Sequence, residues 1–144
     1  MATGPKGVDI GLGDRCSRRA FRWAERSFEA RRERWGFPLF GGAGSFSNWM
    51  DFGPLKVAMT CDGIGTKAEV AERTGIYRTL GYDLVAMVAD DLVANGIEPV
   101  NLVNVLDVDK PDEGIVDELM EGLHDAAMEC GIAIVGGEIA ELGS

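Results

Sequence analysis

The chain has 144 residues, 46% of them hydrophobic and 26% charged, and carries a formal net charge of −10 at neutral pH. That length fits one compact domain with a real core, and the acidic balance argues against a general nucleic-acid binder. No apolar run approaches the roughly 20 residues needed to span a membrane. A single histidine, His124, and three widely spaced cysteines, Cys16, Cys61 and Cys130, point away from a Ser-His-Asp site, a zinc site and a disulfide frame. Residues 1–6 lack an apolar signal core and read as the start of a cytoplasmic protein.

Residues 1–14, with glycines at 4, 7, 11 and 13, read as a flexible entry segment ahead of a domain over 15–144. A helix is predicted next, capped by Asp14 and stopped by Gly36. Phe21, Ala24, Phe28 and Trp35 would share one of its faces, at helical spacing. Eight of the 14 basic residues are arginines between Arg15 and Arg34. Arg18, Arg22, Arg26 and Arg32, interleaved with Glu25, Glu29 and Glu33, read as a solvated face. Residues 36–54, rich in glycine and with two prolines, predict a long loop with a short strand near residues 37–40. In that loop Phe46, Trp49 and Met50 are expected to pack, and Ser45 with its neighbouring glycines to be free for a ligand.

Residues 55–61 form the first clear strand, with Val57, Met59 and Cys61 on one side. A short helix over 66–73 ends at Gly75. A second, from about Gly81 to Asn95, has an apolar face of Leu84, Val85, Val88 and Leu92 and stops at Gly96. Residues 100–108 are again strand-like. Residues 113–130 return to helical spacing, with Ile115, Leu119, Leu123 and Cys130 toward a core and Gly131 as the stop. A short strand over 132–135 leads into Gly136-Gly137-Glu138.

The chemistry concentrates at Thr60-Cys61-Asp62-Gly63-Ile64-Gly65-Thr66-Lys67. Glycines let backbone N–H groups approach a ligand, and successive N–H groups ahead of a helix start make an anion-binding concavity. Asp62 supplies a carboxylate for a divalent cation and Lys67 an ammonium for phosphate oxygens. The order DGxGTK differs from the P-loop order GxxxxGK[ST]. A plain strand-to-helix turn that needs glycine is the alternative reading. Asp83 and Asp90 lie two helical turns apart and project from nearly the same side, with Asp91 one position round. Buried unpaired, such carboxylates are costly; metal ions between them, or a solvent-facing acidic patch, would each account for them. Gly136-Gly137-Glu138 repeats the strand-end carboxylate beside glycines.

These segments together resemble a known family. Gly7-Val8-Asp9-Ile10 is similar to the opening of aminoimidazole ribonucleotide (AIR) synthetases, and Asp62-Gly63-Ile64-Gly65-Thr66-Lys67 to their DGVGTK signature. Gly81-Tyr82-Asp83-Leu84-Val85-Ala86-Met87 resembles GIDLVAM, Asp91-Leu92-Val93 resembles NDLV, and Gly136-Gly137-Glu138-Ile139-Ala140-Glu141 resembles GGETAE. Asn104 stands where the family usually has an aspartate.

The resemblance implies an α+β fold in which a mixed β-sheet is covered by helices on one face, with two such sheets pairing in a homodimer through residues 55–60 and 100–106. It also implies ATP and Mg2+ as ligands. Asp62, Asp83, Asp91 and Glu138 would be metal carboxylates. Asp9, Gly63, Gly65, Thr66, Lys67, Gly136 and Gly137 would contact the nucleotide, with the Asp9 segment closing over it. Asp62 and Lys67 would serve the reaction, which is ATP-dependent closure of formylglycinamidine ribonucleotide to AIR in purine biosynthesis. A C-terminal domain or second chain would be needed to complete the cleft. A sibling ATP-dependent kinase or synthetase, or a non-catalytic nucleotide-binding or dimerisation module, stays open beside that reading.

Overall fold

The protein is described by a computed structural model over residues 9–39 and 47–143. Its elements follow the order α1 (Ile10–Ser27), a 3-10 turn (Phe28–Arg31), β1 (Phe37–Leu39), β2 (Asn48–Asp51), β3 (Lys56–Met59), α2 (Lys67–Thr74), α3 (Thr79–Val93), β4 (Asn101–Val108), α4 (Glu113–Cys130) and β5 (Ala133–Glu141). The chain divides into two units. The first takes its described residues from Met1–Phe40 and Trp49–Val57, and the second from Gly41–Asn48 and Ala58–Ser144.

In the first unit, α1 starts five residues before the predicted position. Asp9, in extended conformation, accepts a hydrogen bond from the Leu12 N–H at 2.9 Å. That cap satisfies a donor the helix would otherwise leave open and offsets part of the cost of Gly11 and Gly13. Residues 10–14 are therefore helical rather than a flexible entry; residues 1–8 lie outside the described part. The helix also ends earlier than predicted, at Ser27. Trp35, predicted on its apolar face, is 77% exposed and meets Phe52 edge to face at 5.0 Å.

The predicted long loop contains an antiparallel hairpin, with Phe37 opposite Asp51 and Leu39 opposite Trp49. Four residues with one charge and little alternation gave no strand signal for β2; pairing with β1 supplies it. The expectations for Ser45 and Phe46 fall outside the described residues, while Trp49 and Met50 are half-buried.

The second unit is built around a parallel pair, β4–β5, joined by α4 in the crossover that parallel strands require. Burial alternates along β4, with Leu102 and Asn104 buried and Val103 and Val105 exposed. Val85 and Ala89 of α3, Leu123, Ala126 and Ala127 of α4, Leu102 and Ile132 form the core on that one face. Gly81 and Gly122 let the two helices nearly touch. A Cβ on Gly122 would lie 1.7 Å from the Arg78 carbonyl oxygen, and one on Gly81 would lie 2.1 Å from the Leu123 nitrogen. Cys130, expected in the core, is exposed at the end of α4.

The fold is thus α+β, with helices over one face of β4–β5. Its strands fall into two hydrogen-bonded sheets, β1-β2-β3 and β4-β5, among the described residues rather than one. No helix of the described residues is long and apolar enough to cross a membrane.

Candidate functional site

The turn between β3 and α2 lies within the second unit and is pinned at both ends by α3. At its start the Thr60 hydroxyl donates to Asp91 Oδ2 at 3.1 Å, partly buried. At its end Lys67, the first residue of α2, places Nζ 2.8 Å from Asp83 Oδ1. Between them Asp62 is exposed and its Oδ1 accepts from the Gly63 N–H at 2.7 Å. Two turns of α3 separate Asp83 from Asp91, so a single rigid element fixes both ends of the loop. Asp90, placed by spacing on nearly the same side as Asp83, is exposed, and Asp91 is the carboxylate that meets the start of the loop.

The glycines divide into two kinds. Gly65 has φ of 60°, a conformation side chains resist, and its carbonyl accepts from the Ala68 N–H as α2 begins. Gly137 faces Asn104, whose Oδ1 would lie 2.6 Å from an added Cβ. The chain's own conformation therefore requires glycine at both positions. Gly63 and Gly136 have no positive φ, and an added Cβ would meet nothing within 4 Å at either. Bare glycine that the fold does not require leaves backbone open to an outside group.

Thr66 caps α2 through its backbone only, so its hydroxyl is not engaged by the helix. Asp9 caps α1 in the first unit.

One prediction changes shape here. Gly136-Gly137-Glu138 is not a strand end, because β5 runs on to Glu141 beside β4. The register shift after Leu102 leaves Val135 without a partner and pairs Val103 with Gly136, Asn104 with Gly137 and Val105 with Glu138. An extra residue absorbed as a bulge lets the strand continue where a turn was expected. Paired residues of a ladder share a face, so Glu138 stands on the exposed side with Val105. Asn104 is buried on the helix side, and its amide donates to Met120 Sδ at 3.9 Å.

Among the described contacts, none joins Glu138 to Asp62, Asp83 or Asp91, and no three His, Cys, Asp or Glu side chains are grouped to hold an ion by themselves. Magnesium carried on a polyphosphate takes only one or two protein carboxylates, with phosphate and water supplying the rest. Exposed Asp62 in the turn and half-buried Asp91, which accepts from the turn's first residue, are hard oxygen donors of the kind that requirement names.

Sequence reasoning missed the bonds that place these groups. Thr60 gave no signal beyond ending an apolar run. Arg78, likewise unremarked, pairs with both Glu121, at 3.3 Å, and Asp125, tying α3 to α4 beside the glycine contact. The Tyr82 hydroxyl adds a second tie, donating to Glu129 at 3.0 Å. That bond holds the phenol proton and raises its pKa above the ordinary 10.0.

Comparison with known proteins bears on this arrangement. The model of the family described as AIR synthase related protein, N-terminal domain, matches residues 48–144. A relative from Thermococcus kodakarensis, named phosphoribosylformylglycinamidine cyclo-ligase, is 42% identical over 134 residues, which is 93% of this chain and 40% of the relative. Relatives of the same name from Methanosarcina mazei and Saccharolobus solfataricus are 41% and 38% identical, over 74% and 69% of this chain and 32% and 31% of their own lengths. The chain spans about two fifths of the length of the most similar of these. The family model covers the β3–α2 turn, the α3 carboxylates and β5, and the chain belongs to the AIR synthase related family through its N-terminal domain.

Proposed function

We propose that this chain is the ATP-binding part of a cyclo-ligase that converts formylglycinamidine ribonucleotide to AIR. The observation that carries the reading is the β3–α2 turn held at both ends by α3, with Thr60 on Asp91 and Lys67 on Asp83. The name shared by the relatives gives it a reaction.

In this reading the open backbone at Gly63 and the start of α2 receive phosphate oxygens, and the Thr66 hydroxyl and Lys67 ammonium donate to them. Gly136 and Gly137 of β5 are the second glycine segment this reading assigns to the nucleotide. Asp62 and Asp91 would hold magnesium, whose charge would offset that of the phosphates. The formyl amide oxygen of the substrate takes the γ-phosphoryl group, the substrate's amine attacks the activated carbon, and phosphate leaves. What the protein must supply is alignment and charge compensation, with no nucleophile of its own.

Residues beyond those of this chain, on a C-terminal domain or a second chain, complete the cleft. A homodimer is the partner state this reading requires. Val103 and Val105, 68% and 61% exposed on the free side of β4, suit burial against a second copy.

Titration calorimetry with ATP and magnesium tests the nucleotide part: saturable binding that Asp62→Ala abolishes is expected. A folded chain that binds no ATP, with or without that change, sinks it. Sedimentation of Val103→Lys tests the dimer; the variant is expected to run as a monomer where the parent does not. ADP release without AIR, in an assay completed with the remaining domain, would move the reading to a sibling enzyme on another acceptor.

A further inference from the structure

We infer that Asp83 is a positioning residue for the Lys67 ammonium and not a metal ligand. The inference rests on the reading of the Thr60–Lys67 turn as a polyphosphate site. Lys67 opens a helix of eight residues whose one buried residue is Ala71. Its four-carbon stem has many rotamers, and its described polar contact is the 2.8 Å bond to Asp83. Asp83, by contrast, stands on a stretch of α3 packed closely against α4. It lies between Gly81, pressed against the Gly122–Leu123 backbone, and Val85, 3% exposed in the core. A mobile cation is thereby tied to a rigid anion, which selects one orientation of Nζ at the end of the glycine turn.

The two carboxylates of α3 are not equivalent. Asp91 accepts from a neutral hydroxyl, so its full negative charge remains available to a divalent cation. Asp83 already faces an ammonium, and a magnesium ion on its second oxygen would sit within a few ångströms of that positive charge. Like charges so close are strongly repelled. The helix therefore separates two tasks, with Asp83 holding the phosphate-binding lysine and Asp91 facing the metal.

Two measurements on the intact chain test this. The first needs no nucleotide: in a reductively 13C-methylated sample, Asp83→Asn is expected to shift the Lys67 methyl resonance and Asp91→Asn to leave it in place. An unmoved Lys67 signal in Asp83→Asn overturns the pairing. The second is calorimetry with ATP at a series of magnesium concentrations. Asp83→Asn and Lys67→Ala are each expected to weaken ATP binding by about tenfold, the scale of one charge-assisted hydrogen bond. The double variant should be no weaker than Lys67→Ala alone, Asp83→Glu should recover part of the loss, and the magnesium midpoint should move only in Asp91→Asn. Multiplying effects, or a magnesium midpoint displaced by Asp83→Asn as by Asp91→Asn, overturns the assignment. Failure of the parent chain to bind ATP while the resonance shift persists counts against the nucleotide reading alone.

Discussion

Helices α1 and α4 are each 18 residues long, and each begins at an aspartate that accepts from an N–H three residues on, Asp9 from Leu12 and Asp112 from Ile115. There the likeness ends. α4 buries Gly122, Leu123, Ala126 and Ala127, whereas α1 buries no residue at all. Residues 1–57 hold ten of the 14 basic and six of the 24 acidic residues; residues 58–144 hold four and 18. On α1, Arg15, Arg18, Arg19, Arg22 and Arg26 recur at spacings of three and four and so share one face. Among the described residues no ion pair involves any of the five; Arg26 instead lies over the Trp23 ring at 4.5 Å. Length and capping decide that a helix forms. Whether it becomes part of a core depends on having small and apolar residues at one spacing, and α4 has them where α1 has arginine.

This contrast can be broken most severely at the helix crossing. Gly122→Ala drives a Cβ into the Arg78 carbonyl, and we expect a loss of at least about 3 kcal/mol in urea unfolding, since backbone rather than a side-chain tip must move. A loss under about 1 kcal/mol would show that α3 and α4 can separate freely.

Leu123→Ala should cost about 3 kcal/mol by the same measurement, the usual scale for emptying a core leucine site. Trp23→Ala on α1 should stay within about 0.5 kcal/mol, because its side chain is 71% exposed. Gly13→Ala reverses the sign. An added Cβ there meets open space within a helix, so a gain of about 0.5–1 kcal/mol is expected. The same chemical change would then harm one helix and help the other.

Lys67→Ala should lower stability by less than about 1 kcal/mol, its ion pair being half-exposed, while weakening ATP binding. A large fall in melting temperature with intact affinity would make Lys67 structural. The smallest effect concerns pH. Tyr82 keeps its proton in the folded chain above the ordinary 10.0 because Glu129 holds it. The unfolded chain ionises first, so this group's contribution is present below pH 10.0 and is lost as pH rises through and beyond it. Tyr82→Phe should flatten that alkaline decline slightly, read from melting temperatures across the range.

Much of the second unit could be read from residue order alone. α4 runs from Glu113 to Cys130 as the spacing predicts, and Gly75, Gly96 and Gly131 all adopt the positive φ of helix stops. These features are local. A capping carboxylate, an apolar period or a glycine stop acts within a few residues, so the chain determines them before it folds.

The turn at 60–67 belongs to this class in its composition but not in its anchoring. Only the folded chain brings Thr60 to Asp91, 31 residues away, and Lys67 to Asp83, 16 away. The course of β5 through Gly136-Gly137 depends likewise on a ladder with β4, where Asn104 leaves no room for a side chain at 137. Strand β2 had too few residues to announce itself beside the predicted strand at 37–40, and the burial of α4 against the exposure of α1 required the partner surfaces to exist. By itself the sequence determined helices α2, α3 and α4, strands β3 and β4 and the glycine helix stops, because those choices rest on short-range sterics and hydrogen bonds. The tertiary structure alone decided which carboxylate meets which cation, because that depends on packing between segments far apart in the chain.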